Sequence, residues 1–194
     1  MNMKHAFQTV LDSGLENYHK PRYWEICGVK VQFKPVPGGV GQRKWKRTLD
    51  EWLPRYDEVG WLDGLHKIII GPEAAHSKAR RGVGRYDHDG SIYLNNDISL
   101  GAKSCRVYQN TRDALLTHEV VHHAHLTING YENSNKSPEK EDMLKETVSW
   151  YAGKNVGESI AEIGTGIVHG ADFPERVHEY YSDKDGPMGA YDIA

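Results

Sequence analysis

The sequence predicts an α+β domain, in which a small, twisted, mostly antiparallel sheet packs on one helix and a C-terminal helical part follows. Three observations predict it. Short β-branched or alternating stretches bounded by glycine and proline recur before residue 95. A capped apolar-periodic segment then runs from about residue 112 to 126, and further helical patterns fill residues 137 to 181. At 194 residues the chain is read as one domain over 1–194, with an N-terminal α/β part at 1–64, the sheet and central helix at 65–126, and C-terminal helices at 131–182.

In chain order, Ala6, Val10, Leu11 and Leu15 recur at helical spacing and predict a helix over 3–18. Trp24 to Lys34 alternates loosely around Gly28 and reads as one strand or a bent hairpin, closed by Pro35-Val36-Pro37-Gly38-Gly39. Trp45, Leu49, Trp52, Leu53 and Tyr56 fall on one helical face from Gln42 to about Tyr56, with Pro54 expected to kink or end the helix. Leu65 to Ile70 ends on Ile68-Ile69-Ile70 and reads as a largely buried strand. Asp89-Gly90 signals a hairpin within Gly82 to Asn95.

Thr111 is the expected cap of the next helix, with Asp113 in its first turn, where the helix dipole favours a carboxylate, and Asn129-Gly130 as its stop. Ser137-Pro138-Glu139 should open a helix running to about Tyr151. Val156 to Val168 and Phe173-Pro174 to about Tyr181 read as two more, and the tail from Ser182 as irregular.

Composition excludes several classes. Lys and Arg number 24 against 27 Asp and Glu, a formal charge of -3 with mixed signs, so neither nucleic acid nor an anionic membrane is the expected partner. The basic runs Arg43-Lys44-Trp45-Lys46-Arg47 and Lys78-Ala79-Arg80-Arg81 read as solvated faces. Cys27 and Cys105 fit no metal-ligand spacing and read as buried thiols in a reducing compartment. No apolar run reaches membrane-spanning length, and no signal-peptide pattern follows Met1, so a soluble protein of a cytoplasm or a virion is expected.

The chemistry concentrates in Thr117-His118-Glu119-Val120-Val121-His122-His123-Ala124-His125, which contains His-Glu-x-x-His. On a helix, residues four apart stack on one face, so His118 and His122 can hold one metal ion with Glu119 beside them, the geometry of zinc hydrolases. Catalytic zinc takes three protein ligands, and a third histidine ten residues after the first is excluded because Ile128 stands there. A downstream helical glutamate is left. Glu158-Ser159-Ile160-Ala161-Glu162 offers one with a second carboxylate a turn later, the first to ligate and the second to fix a ligand histidine's tautomer; standing alone, the pair reads as two solvated carboxylates.

The segment Tyr151-Ala152-Gly153-Lys154-Asn155-Val156-Gly157-Glu158-Ser159-Ile160-Ala161-Glu162 resembles the pattern downstream of His-Glu-x-x-His in the anthrax lethal factor family. Similar segments occur in metallopeptidase-like domains of phage minor head proteins and polymorphic toxins. The resemblance covers about residues 82 to 175 and implies a zincin-like fold and zinc-dependent cleavage of a specific protein or peptide substrate. It also implies ligands His118, His122 and Glu158, Glu119 as general base, Tyr151 stabilising the oxyanion, and Glu162 behind the ligands. Tyr151 has the alternative of packing between helices. One position departs from the family: Val121 stands where glycine is common, and predicts crowding of the strand that crosses the helix.

Around this centre, His125 is expected behind the ligands or at the helix C-terminus, and His123 on the surface or in the core. Tyr93 and Asn95, on the hairpin before the helix, are candidates to lie beside an extended substrate. Two rival readings accompany peptidase activity. One is a phage morphogenesis protein that keeps the zinc fold as scaffold among phage structural proteins, and the other an antirestriction-type metallopeptidase, a class that lacks the Tyr151 to Glu162 pattern.

Overall fold

The computed structural model describes residues 20–35, 40–72, 84–96, 111–130 and 134–194, without the side chain of Ile128. The helix expected over 3–18, the basic run at 78–81 and Cys105 lie outside the described residues. The remainder is α+β, with five strands and six helices among the described residues.

Strands β1 (Arg22–Ile26) and β2 (Val29–Phe33) form a hairpin. Its two turn residues, Cys27 and Gly28, both have positive φ, 49° and 73°, as a two-residue turn matched to strand twist requires. Cys27 is therefore exposed at a hairpin tip, contrary to the expected buried thiol. Strand β3 (Lys67–Ile70) follows the first described helix, and β4 (Gly84–Asp87) and β5 (Ser91–Leu94) make a second hairpin turned by Asp89 and by Gly90 at φ 74°. Asp89 accepts a hydrogen bond from Ser91 N, which closes the turn locally.

The sheet order is β1-β2-β3-β5-β4. The two hairpins pair antiparallel, but β2 with β3 and β3 with β5 are parallel, so the sheet is evenly mixed where mostly antiparallel pairing was expected. The β2–β3 pair is parallel because α1 (Gln42–Glu58) carries the chain from the end of β2 back to the start of β3. Register and the two-residue alternation of strands assign the faces. Val31, Ile68, Ile92 and Tyr86 form one cross-sheet row on the helix-covered face, and Gln32, Ile69, Tyr93 and Arg85 form the adjacent row on the opposite face.

Helix α1 buries Trp45, Leu49, Trp52, Leu53 and Tyr56 and leaves its basic residues outward, with Lys46 paired to Asp50 at 2.7 Å. It continues through Pro54 to Glu58, because burial of Leu53 and Tyr56 outweighs the one lost backbone donor near its end. Helix α2 (Arg112–Asn129) starts at Thr111, whose side chain accepts from Ala114 N at 3.1 Å, and stops at Gly130 with φ 68°. It lies across β4 and β5 and packs broadly on the helix over Val156–Val168.

The helix expected from residue 138 is shorter: α3 spans Glu141–Thr147. Its start is displaced because Lys136 C=O accepts from Val156 N, holding that strand of chain against the next helix, and Glu139 pairs with Lys184. Its end is displaced because the Ser149 hydroxyl is committed to a turn, accepting from Ala152 N at 3.0 Å. Helix α4 (Val156–Val168), capped by Asn155, has the expected bounds. Helix α5 (Glu175–Asp183) follows Pro174, and the tail ends in a short α6 (Ala190–Ile193), with Ala190 and Ile193 buried, where irregular chain was expected. No helix among the described residues is long and apolar enough to cross a membrane.

Val121, where the sequence predicts crowding, packs against α4. A Cβ on Gly164 would come within 3.0 Å of Val121 Cγ1, so a glycine on the partner helix accommodates the β-branched side chain. The strand that crosses α2 has its own glycine, Gly84, set directly against the Glu119 side chain.

Candidate metal centre

Helices α2 and α4 bring together three atoms able to ligate one metal ion. His118 Nε2 and His122 Nε2 are 3.1 Å apart, and Glu158 Oε2 lies 3.3 Å from the first and 3.2 Å from the second. Zinc bound at ordinary Zn–N and Zn–O lengths of about 2.0–2.1 Å holds tetrahedral ligands about 3.4 Å apart, so the three atoms are spaced as one face of such a tetrahedron. The donor set, two imidazoles and a carboxylate, is that of a catalytic rather than a structural zinc site. Among the described residues this is the group of His, Cys, Asp or Glu side chains able to share one ion.

The ligand rings are oriented from behind. His118 is buried, and its Nδ1 lies 3.1 Å from Glu162 Oε1, while Glu162 Oε2 accepts from Ser149 Oγ at 2.8 Å. That hydrogen bond puts the proton on Nδ1 and turns Nε2 toward Glu158. Burial alone would lower the His118 pKa, but hydrogen bonds to Glu158 and Glu162 and the charges of Glu162 and Glu119 raise it to about 9. Burial would likewise raise Glu158, yet the facing imidazoles His122 and His118 hold it well below the usual carboxylate range. The carboxylates thus favour positive charge at this point, whether a proton on His118 or a divalent cation on the three atoms.

The ligands open on a cleft of about 350 Å³, lined also by Glu119, Tyr151, Asn155 and residues 84–88 of β4 and its turn. Glu119 is buried and packs on Gly84. Tyr151 sits in the turn before α4 with its ring 6.3 Å from that of His118. Lys154 donates to the Tyr151 oxygen at 3.3 Å, lies 4.8 Å from its ring centre, and reaches Glu158 Oε1 at 3.5 Å. Sequence reasoning missed Lys154, although its i,i+4 spacing to Glu158 is the signal that finds such pairs. It also missed Ser149, for which no local signal existed.

Three expected neighbours lie elsewhere. Tyr93 belongs to β5, on the sheet face away from α2, where the Arg85 guanidinium covers its ring at 4.4 Å. Asn95 is buried just past β5, and neither lines the cleft; the strand that does is β4, the sheet edge among the described residues. His125 does not back the ligands. Seven residues from His118 the helix has turned it toward α5, where its Nε2 donates to Lys184 C=O at 3.2 Å. His123 is a core histidine, donating to Asp63 C=O at 3.0 Å with its ring 5.1 Å from that of Tyr86. His169 bonds Thr117 at 2.8 Å, and His178 bonds Tyr191 and Phe173 C=O, both away from the ligands.

No protein-family model and no curated protein matches the chain. A crystal structure from Bacteroides caccae, provisionally assigned as a zinc-binding metallo-peptidase, aligns over 98% of this chain and 80% of its own at 18% identity and a TM-score of 0.41. The chemistry of the site therefore stands on its own geometry: two histidines on one helix face and a glutamate from a second helix, spaced for a single tetrahedral ion beside a buried carboxylate and an edge strand.

Proposed function

We propose that the chain is a zinc-dependent metallopeptidase that hydrolyses a peptide bond in a specific protein substrate. The observation that carries the reading is the 3.1–3.3 Å triangle of His118, His122 and Glu158 with Glu119 at its rim, because a purely structural site has no use for the extra carboxylate. Zinc held by the three residues would lower the pKa of a coordinated water to near 7 and polarise the scissile carbonyl.

The chain's own residues supply the rest. An extended substrate pairs by its backbone along β4, the strand flanking the cleft. Glu119, fixed against Gly84, takes a proton from the attacking water and passes it to the leaving amine. Tyr151 donates its O–H to the oxyanion that develops on the carbonyl. Glu162, itself steadied by Ser149, keeps His118 in the tautomer that presents Nε2.

The experiment is metal analysis of purified wild type, Glu158→Ala and Glu119→Gln, beside cleavage of a peptide library read by mass spectrometry. Wild type should hold one zinc and cleave, Glu158→Ala should lose the metal, and Glu119→Gln should keep it but stop cleaving. Unit zinc retained by Glu158→Ala would sink the ligand assignment. Equal cleavage by wild type and Glu119→Gln would remove the hydrolase reading and leave a zinc-bearing scaffold.

A further inference from the structure

The two oxygens of Glu158 face different partners. Oε2 is the atom shared with His118 and His122, at 3.3 and 3.2 Å, whereas Oε1 faces Lys154 Nζ at 3.5 Å. The same ammonium donates to the Tyr151 oxygen at 3.3 Å and lies over its ring. Lys154 therefore ties a ligand carboxylate to the tyrosine across the mouth of the cleft, one turn before Glu158 on the entry to α4. Its own side chain is about one third exposed and its partners are a ligand and a cleft residue rather than the core, so it contributes to the arrangement of the site and not to the packing of the fold.

We infer that Lys154 is a positioning residue that keeps Glu158 a one-oxygen ligand and orients Tyr151 over the cleft. A carboxylate can ligate through one oxygen or through both, and the second mode fills the coordination position that catalysis needs open. An ammonium on Oε1 makes the one-oxygen mode the stable one, since that oxygen's charge is already compensated. A donor-only ammonium also makes the Tyr151 oxygen the acceptor of this contact, which holds the ring in place at the cleft. The serine-held Glu162 does the corresponding work for His118.

The inference rests on the metal reading above, and its test separates the two. Wild type, Lys154→Met and Lys154→Arg are loaded with cobalt(II), and the visible absorption, which weakens as coordination number rises, is recorded before and during titration with acetohydroxamate. Zinc stoichiometry is measured in parallel. All three proteins should hold one metal. Lys154→Met should show the weaker, higher-coordinate spectrum and bind acetohydroxamate about 10-fold less tightly, the scale of a lost outer partner of a ligand. Lys154→Arg should restore both. A Lys154→Met spectrum and hydroxamate affinity equal to wild type, or no recovery in Lys154→Arg, overturns the role of Lys154 while leaving the ligand set intact. Failure of wild type itself to bind metal overturns the metal reading, and this inference with it.

Discussion

Gly84 gives the most direct test of Glu119, because it allows the carboxylate to be moved without being removed. An ideal Cβ at position 84 would lie 2.8 Å from Glu119 Cδ and 2.9 Å from Cγ, and nearer still to Oε1. Ordinary contact begins at 3.4 Å, so the carboxylate carbon alone is about 0.6 Å too close and the side chain must give by roughly that or more. The yielding atoms are the end of a flexible side chain, and Gly84 has no positive φ that alanine would strain. Gly84→Ala should therefore cost about 1–3 kcal/mol, the scale of a tight extra methyl, and leave the protein folded. A base displaced by up to about 1 Å costs on the order of 100-fold in rate, so kcat should fall by about 10- to 100-fold with one zinc retained. The assay is kcat on a peptide taken from the library screen, with metal analysis and thermal unfolding on the same samples. A Gly84→Ala protein that keeps one zinc and turns over at the wild-type rate would refute the assignment of Glu119 as a positioned base.

Three further outcomes follow from the same geometry. Glu162→Gln replaces the anion behind His118 with a neutral amide, and zinc affinity measured by chelator competition should weaken by about 10- to 100-fold; an unchanged Kd removes Glu162 from the ligand's support. Thr111→Ala deletes the cap of α2 and should cost about 1 kcal/mol in denaturant unfolding, so an unmoved midpoint would mean that another group satisfies Ala114 N. His169 is held below its ordinary pKa by burial, which outweighs the opposing charge and backbone hydrogen bond of Asp113. Its neutral form is thus the folded form, and the unfolded chain takes up the proton first. The advantage of wild type over His169→Gln in unfolding free energy should be full above about pH 6.5 and shrink as pH falls toward 5; a difference that stays flat over that range contradicts the buried neutral histidine.

What could be read from the sequence was what neighbouring residues decide. Thr111, the apolar spacing and Gly130 bounded α2 to within three residues, Asn155 and the pattern after it bounded α4, and Asp89-Gly90 marked the β4-β5 turn. The i,i+4 histidines needed only helix geometry, and the structure brings Glu158 to them. What escaped was decided by distant pairing. The hairpin was visible, but which of its strands forms the sheet edge depends on β3 pairing with β5, and that choice put β4 at the cleft; Tyr93 faces the other way because it alternates with the buried Ile92 and Leu94. His125 was misjudged for a related reason. Its angle on the helix was known, but the carbonyl waiting at Lys184 belongs to chain 59 residues away.

The same contrast explains how the site tolerates an unusual residue. A β-branched valine before the second ligand histidine is unfavourable only if the opposing surface is fixed, and here that surface is Gly164, two residues past Glu162 on the helix that also carries Glu158. The small residue here stands on α4, opposite Val121, so α2 and α4 keep the close approach that a three-atom triangle spanning both demands. Gly84 performs the equivalent service on the other side of α2, where it lets the edge strand reach Glu119. Close packing on the α4 flank of α2 thus depends on a glycine that lies outside the motif, and the three-atom arrangement depends on that packing, because a triangle with edges of 3.1–3.3 Å spanning the two helices leaves no room for α4 to recede.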